Sequence, residues 1–151
     1  MDLILWRHAE AEENAADDMR RRLTSKGRKQ ASRAAEWLLQ RLPARFTLIA
    51  SPAVRAHQTA QALGTPIKVE QSLAPGATPK AIIAAAGWPE NKGAVVIVGH
   101  QPDLGRALAQ LVAKGDDRWS IKKGALWWLS NRVRDGDAQV VVRAVVSPDL
   151  L

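Results

Sequence analysis

Arg7 and His8 stand side by side where a short apolar run stops, in "DLILWRHAEAEEN". A strand end ordinarily carries turn formers such as Gly, Asn or Asp. A guanidinium beside an imidazole is instead a pair that can grip an anion and attack it. Two further apolar runs end in a related way. "LIASPAVR" supplies a hydroxyl, Ser51, and a second arginine, Arg55; "VVIVGHQP" supplies His100 and Gln101. Arginine makes forked, charge-assisted hydrogen bonds to phosphate oxygens. A neutral ring nitrogen of histidine is a competent nucleophile at physiological pH. These residues together describe a phosphate site with a nucleophile in it.

Such a site requires elements that bring the three segments to one edge. Strand-like runs are Leu3–Trp6, Phe46–Ala50, a weak Pro66–Val69 and Ala94–Val98. Between them lie helical patterns. Thr24 or Ser25 caps a helix whose apolar residues Ala31, Ala34, Ala35, Leu38 and Leu42 recur at helical spacing. Pro52 to Leu63 is a second, with Pro52 expected in its first turn. Thr78-Pro79 opens a third, which Gly87 ends, and Pro102-Asp103 opens a fourth carrying Leu104, Leu108, Leu111 and Val112. Strands alternating with helices predict a three-layer α/β/α domain with a mostly parallel central sheet. The tail differs: Ala125–Ser130 and Gln139–Val146 flank "NRVRDGD", an antiparallel hairpin turning at Asp135-Gly136. In open α/β sheets ligands bind beyond the carboxyl ends of the strands. There Arg7, His8, Ser51, Arg55, His100 and Gln101 would meet, two of the segments entering helices whose N-terminal N–H groups suit phosphate.

The bulk properties are compatible with this. A chain of 151 residues that is 46% hydrophobic is expected to form one domain over 1–151 with a sizeable core. No cysteine is present, which removes disulfides, thiolate metal sites and a cysteine nucleophile. No run is long enough to span a membrane and no signal peptide is visible, so the expectation is a cytoplasmic domain. The net charge of +7 calls for an anionic partner. The densest basic stretch, "MRRRLTSKGRK", has neither zinc ligands nor interleaved aromatics, so nucleic acid is disfavoured and a solvated face is as good a reading as any binding role.

The blocks "LWRHAEAE", "RRLTSKGRKQA", "LIASPAVRAHQTA" and "VVIVGHQPDLG", with a looser match at "KKGALWWL", resemble those of the histidine phosphatase superfamily. The short length, the Leu-Thr-x-x-Gly block and the Ser-Pro-x-x-Arg-x-x-Gln-Thr block resemble its SixA-type phosphohistidine phosphatase branch most. The resemblance implies a phosphoglycerate-mutase-like fold and a nucleophile, His8, that becomes transiently phosphorylated. It implies that Arg7 and Arg55 grip the phosphoryl oxygens, that His100 is the second histidine, and that the backbone N–H of Gln101 points at phosphate. It implies no cofactor and no metal, since the arginines neutralise the charge a metal would otherwise meet. The implied partner is a phosphorylated protein, such as a phosphorelay or phosphotransferase component.

Two departures stand out. Ala9 occupies a position where the superfamily signature has Gly, which is tolerable if that position needs no positive φ. Only about two dozen residues separate Val69 from Ala94, too few for an extended lid carrying a general acid. Glu10 and Asp103 are candidate acids, though neither matches a motif position. An absent acid favours a phosphoramidate over an alkyl ester, because protonated phosphohistidine expels neutral imidazole. The alternatives are a small-molecule or nucleotide phosphatase of the same mechanism and a non-catalytic phospho- or nucleic-acid-binding module. An intact His8 argues against the last. Ser51 either donates to phosphate or caps its helix, with neither favoured. His57 is read as structural and Trp127-Trp128 as core and flank of the hairpin; Lys122 and Lys123 either sit near the pocket mouth or are only solvated, the solvated reading leading.

Overall fold

A computed structural model describes residues 1–14 and 16–151. Six strands form one sheet: β1 (Asp2–Arg7), β2 (Phe46–Ala50), β3 (Lys68–Val69), β4 (Ala94–Gly99), β5 (Leu126–Arg134) and β6 (Asp137–Val146). Their spatial order is β3-β2-β4-β1-β5-β6. The pairs from β3 to β1 are parallel, and β5 and β6 add antiparallel. Among the described residues the α-helices are α1 (Ser25–Leu39), α2 (Val54–Gln61), α3 (Pro79–Ala86) and α4 (Asp103–Leu108). The expected α/β/α layering with a mostly parallel sheet and a terminal hairpin is therefore what the chain forms.

The layers follow from strand alternation, since successive side chains leave a strand on opposite faces. On β1, Ile4 and Trp6 join one core with Leu48, Ala50, Val96 and Val98, covered by α1 and α2 through Ala34, Leu38, Ala56 and Ala60. Leu3 and Leu5 join the other with Ile49, Val95 and Ile97, covered by α3 and α4 through Ile82, Ala86, Leu104 and Leu108. Both faces of β1 and β4 are thus buried, which is why these strands read as unbroken apolar runs rather than alternating ones. No helix among the described residues is long and apolar enough to cross a membrane.

Local signals account for most boundaries. Thr24 is the cap of α1, its hydroxyl oxygen accepting from the Gly27 amide at 2.9 Å. Gly27 itself is obligatory: a Cβ there would lie 2.0 Å from the Glu10 carbonyl oxygen, so α1 can approach the β1 tip only through glycine. Thr78 caps α3 and Gly87 ends it in the left-handed conformation. Asp135 and Gly136, both at positive φ, form the two-residue turn of the hairpin.

Elsewhere the structure differs from expectation. Pro52 lies in the bend before α2 rather than in its first turn, and Ala53 is the N-cap. β3 is two residues long. α4 passes into a π-helical turn, Ala109–Ala113, so Leu111 and Val112 do not continue a regular α-helix. Leu42 follows α1 in a turn, its amide donating to the Leu38 carbonyl. The hairpin strands run well past the apolar runs, because the backbone pairing of Asn131 with Val140, on to Arg134 with Asp137, needs no buried side chains.

One topological feature creates the site. β4 enters between β1 and β2, so the carboxyl ends of all three adjoin: Arg7 is in register with Gly99, and Ala50 with Val98. The residues that follow are His8, Ser51 and His100.

Candidate active site

His8 continues the β1 ladder, its amide donating to the Gly99 carbonyl at 3.0 Å and its own carbonyl accepting from Gly124 at 3.1 Å. The ring is buried, with Nδ1 at 2.8 Å from the Ala9 carbonyl oxygen. A carbonyl can only accept, so Nδ1 carries the proton and the Nε2 lone pair is left to accept from Arg55 Nε at 3.3 Å. Burial, with the Arg55, Arg7 and Arg21 guanidiniums nearby, pushes the His8 pKa down to about 4 against the opposing pull of the Ala9 carbonyl. The imidazole is neutral at physiological pH and presents Nε2 in its nucleophilic form.

Arg55 comes from the first turn of α2 and is almost wholly buried. Its Nη1 donates to the Asp18 carbonyl at 2.8 Å and its Nη2 to Asp18 Oδ2 at 3.1 Å. Four residues on, Thr59 donates to the Arg55 carbonyl at 2.7 Å and accepts from the Ala9 amide at 3.0 Å. That hydroxyl ties α2 to the β1 tip. Ala9 is fully buried, and Lys114 and Asp135 are the only non-glycine residues at positive φ among those described, so alanine is unstrained there as expected.

His100 lies across from His8, the ring centroids 5.2 Å apart. Burial and the facing His8 and Arg55 depress its pKa to about 3, so this ring is neutral as well. Its Nε2 is 2.7 Å from Ser51 Oγ, which also accepts from the Ala53 amide at 3.2 Å. The Ser51 hydroxyl is therefore engaged with the His100 ring and the approach to α2, and the N-cap role falls to Ala53. Arg7 is half-buried; its Nη1 donates to the Ile121 carbonyl at 2.7 Å, while its buried Nε has no acceptor among the described residues. A buried donor left unmatched costs about 1–3 kcal/mol, so an anion bound here would be favoured.

The remaining candidates separate. The Gln101 side chain is structural, donating to the Trp119 carbonyl and accepting from the Gly105 amide, both at 2.8 Å. Asp103 Oδ2 accepts from the Gly76 and Ala77 amides, which staples the segment before α3 to the start of α4. Burial raises the Asp103 pKa against those two donors. Glu10 accepts from the Thr24 hydroxyl at 3.0 Å. His57 is half-buried along α2. Trp128 packs edge-on against Trp37, and Trp127 against Trp119, as core and flank of the hairpin. The stretch between β3 and β4 is taken up by a 3-10 turn, Gln71–Leu73, and by α3. Among the described residues no three His, Asp or Glu side chains are grouped so as to hold a metal ion.

Asp18 and Arg21 are the residues that sequence reasoning missed. Asp18 lies in a 3-10 turn, Asp18–Arg20, capped by Asp17. Arg21 Nε donates to Asp18 Oδ1 at 2.9 Å, which places its charge close enough to depress both histidines. Burial would raise the Asp18 pKa, but the Arg21 hydrogen bond and the Arg55 charge outweigh it and hold the carboxylate ionised. No strand precedes this turn, so a search of strand ends passes it by.

Comparison with known proteins identifies the family. Residues 3–76 match the model of the histidine phosphatase superfamily (branch 1). A phosphohistidine phosphatase SixA homolog of Haemophilus influenzae is 33% identical over 76% of this chain and 79% of its own. A solved SixA-type structure from Nakamurella multipartitia is 28% identical, with a TM-score of 0.80 over 97% of this chain and 95% of that one. The protein histidine phosphatase SixA complexed with tungstate shares the fold at a TM-score of 0.83 and 24% identity, each chain covered to 99%. The relative from Haemophilus influenzae, together with the matched family model, shows that the chain is a phosphatase of the histidine phosphatase superfamily, in its SixA-type branch.

Proposed function

We propose that the protein removes phosphate from phosphohistidine on a partner protein, without a metal, through a phosphohistidine intermediate on His8. The observation that carries this reading is the His8 tautomer: Nδ1 fixed on the Ala9 carbonyl, Nε2 unprotonated and facing Arg55. Arg7 and Arg55 bind the phosphoryl oxygens, the buried Nε of Arg7 receiving an acceptor. His100, held by Ser51, closes the pocket, and the Gln101 backbone N–H adds a donor.

In the first step the Nε2 lone pair forms a bond to phosphorus, and the bond from phosphorus to the substrate ring nitrogen breaks. The electron pair returns to that ring, which leaves as neutral imidazole retaining the proton on its other nitrogen. The enzyme supplies no proton, which fits a chain whose candidate acids are engaged elsewhere: Asp18 with Arg55 and Arg21, Glu10 with Thr24, and Asp103 with the Gly76 and Ala77 amides. The phosphorylated His8 ring is cationic, and its Nδ1–H still donates to Ala9. In the second step water attacks phosphorus, the bond to Nε2 breaks and the electron pair returns to His8, while both protons of water leave with phosphate, as dihydrogen phosphate that then equilibrates with solvent.

The deciding experiment measures kcat/KM for a phosphohistidine protein beside a phosphoserine peptide, a nucleotide and a sugar phosphate. The phosphohistidine protein is expected to lead by a wide margin. Efficient turnover of the nucleotide or sugar phosphate, with the phosphohistidine protein untouched, overturns the substrate assignment.

A further inference from the structure

Beside Arg7 the surface opens into a trough that the chemistry at His8 does not use. Its first part, about 460 Å³, is lined by Arg7, Glu10, Lys26, Lys122, Lys123 and Asp149 among others. A second part, about 220 Å³, shares Lys26 and Asp149 and adds Lys29 and Arg33. Six cations thus face two carboxylates. Each carboxylate is already engaged: Asp149 with Lys122 at 3.3 Å, Glu10 with Lys26 at 3.9 Å. Lys29, Arg33 and Lys123 are exposed and form no salt bridge among the described residues.

The walls are fixed by the same contacts that build the catalytic pocket. Lys122 and Lys123 follow Ile121, whose carbonyl holds Arg7, and precede Gly124, whose amide donates to His8. α1 is fastened to the β1 tip by Gln30, which accepts from the Glu10 amide at 2.9 Å, and by the Gly27 contact. Lys26, Lys29 and Arg33 are spaced i, i+3, i+7, so they form one stripe on α1. At ~1.5 Å rise per residue that stripe leads ~10 Å away from Arg7, the reach of about three residues of extended chain.

We propose that this trough docks an acidic segment of the partner protein flanking its phosphohistidine, so that substrate choice is made by charge outside the catalytic pocket. The proposal rests on the phosphohistidine-protein reading above. A phosphohistidine displayed on a protein can gain binding energy from surface outside the catalytic pocket. Multiple cations outside it supply complementary charge and raise the encounter rate in a salt-sensitive way. Asp149 is then a resident competitor, holding Lys122 until substrate carboxylates replace it.

The test compares two phosphohistidine peptides, one with three acidic residues flanking the phosphohistidine and one with three serines, together with a small aryl phosphate. Wild-type protein is expected to show at least ~10-fold lower KM for the acidic peptide at low salt, with similar kcat and loss of the advantage at high salt. Reversing Lys29→Glu, Arg33→Glu, Lys122→Glu and Lys123→Glu together should abolish that preference while leaving aryl phosphate turnover within about twofold. Asp149→Asn should lower KM for the acidic peptide further, a gain that misfolding cannot imitate. Equal KM for the two peptides, or equal loss on the aryl phosphate, overturns the docking site alone. Turnover of the aryl phosphate with neither peptide touched overturns the phosphohistidine reading and the docking site with it.

Discussion

The carbonyl oxygen of Ala9 lies 2.8 Å from Nδ1 of His8, the residue immediately before it. One backbone acceptor thereby sets the tautomer of the nucleophile and leaves Nε2 aimed at Arg55. The same hydrogen bond would stabilise the cationic ring once Nε2 is phosphorylated. Orientation, protonation and charge compensation are all supplied by a single main-chain group.

The first prediction concerns that nitrogen. Labelled substrate quenched without acid should leave acid-labile, base-stable label on His8. His8→Ala should cost orders of magnitude in rate while preserving the fold, because the ring sits at a strand tip rather than among the apolar core. Label on His100, or full activity in the variant, would show that the roles are wrongly assigned.

The second concerns the clamp. Arg7→Ala and Arg55→Ala should each lower kcat/KM at least ~100-fold through loss of charge-assisted contacts to the transferring group. Lysine at either position should rescue only partly, since it lacks the planar fork. Vanadate should inhibit and chelators should not. Activity lost to EDTA and restored by a divalent metal would contradict the proposed mechanism.

pH gives a third. With His8 held at about 4, its neutral form persists far below the ordinary histidine range, so kcat/KM should show no loss on titration through pH 6.5. Stability behaves differently. Unfolding restores both histidines to about 6.5, while folded His8 and His100 titrate at about 4 and about 3. The unfolded chain therefore binds more protons between these values. The contribution of both rings is present in full above the unfolded pKa and is lost as pH falls toward the folded ones. Tm should decline from pH 7 to pH 4, less steeply in His100→Gln. A flat Tm over that range would mean the rings are not buried as neutral species.

Ser51 carries the fourth. Its hydroxyl is 2.7 Å from His100 Nε2 and fully buried. Ser51→Ala leaves that nitrogen without a partner, at a cost of about 1–3 kcal/mol. The expectation is a ~10-fold or greater fall in kcat with KM little changed, because the ring loses its orientation rather than the pocket its charge. Ser51→Thr should retain more activity than alanine. Equal kcat in alanine and wild type would remove Ser51 from the machinery.

Gly27 supplies the last. Gly27→Ala places a methyl group 2.0 Å from the Glu10 carbonyl oxygen, so α1 must move away from the β1 tip. Overpacking of this kind costs about 1–3 kcal/mol. A fall in Tm of several degrees, with reduced activity, is expected; an unchanged Tm would show that α1 yields freely.

Local and periodic signals in the sequence were sufficient for the layered sheet, the hairpin turn at Asp135-Gly136, the α3 boundaries and the placement of Arg7, His8, Arg55 and His100. These are properties of neighbours: apolar runs make buried strands, caps and glycines end helices, and parallel strands deliver their tips to one edge. What tertiary structure alone decided is how those residues are held. That Ser51 serves His100, that the Gln101 side chain is spent on Trp119, and that Asp18 grips Arg55 all depend on contacts between segments apart in the chain. The pKa values of the two histidines belong to the same class. Burial and the assembly of Arg7, Arg21 and Arg55 around them exist only once β4 has inserted between β1 and β2. Hydrogen-bond partners and desolvation are properties of three-dimensional neighbours, and no spacing along the chain encodes them directly.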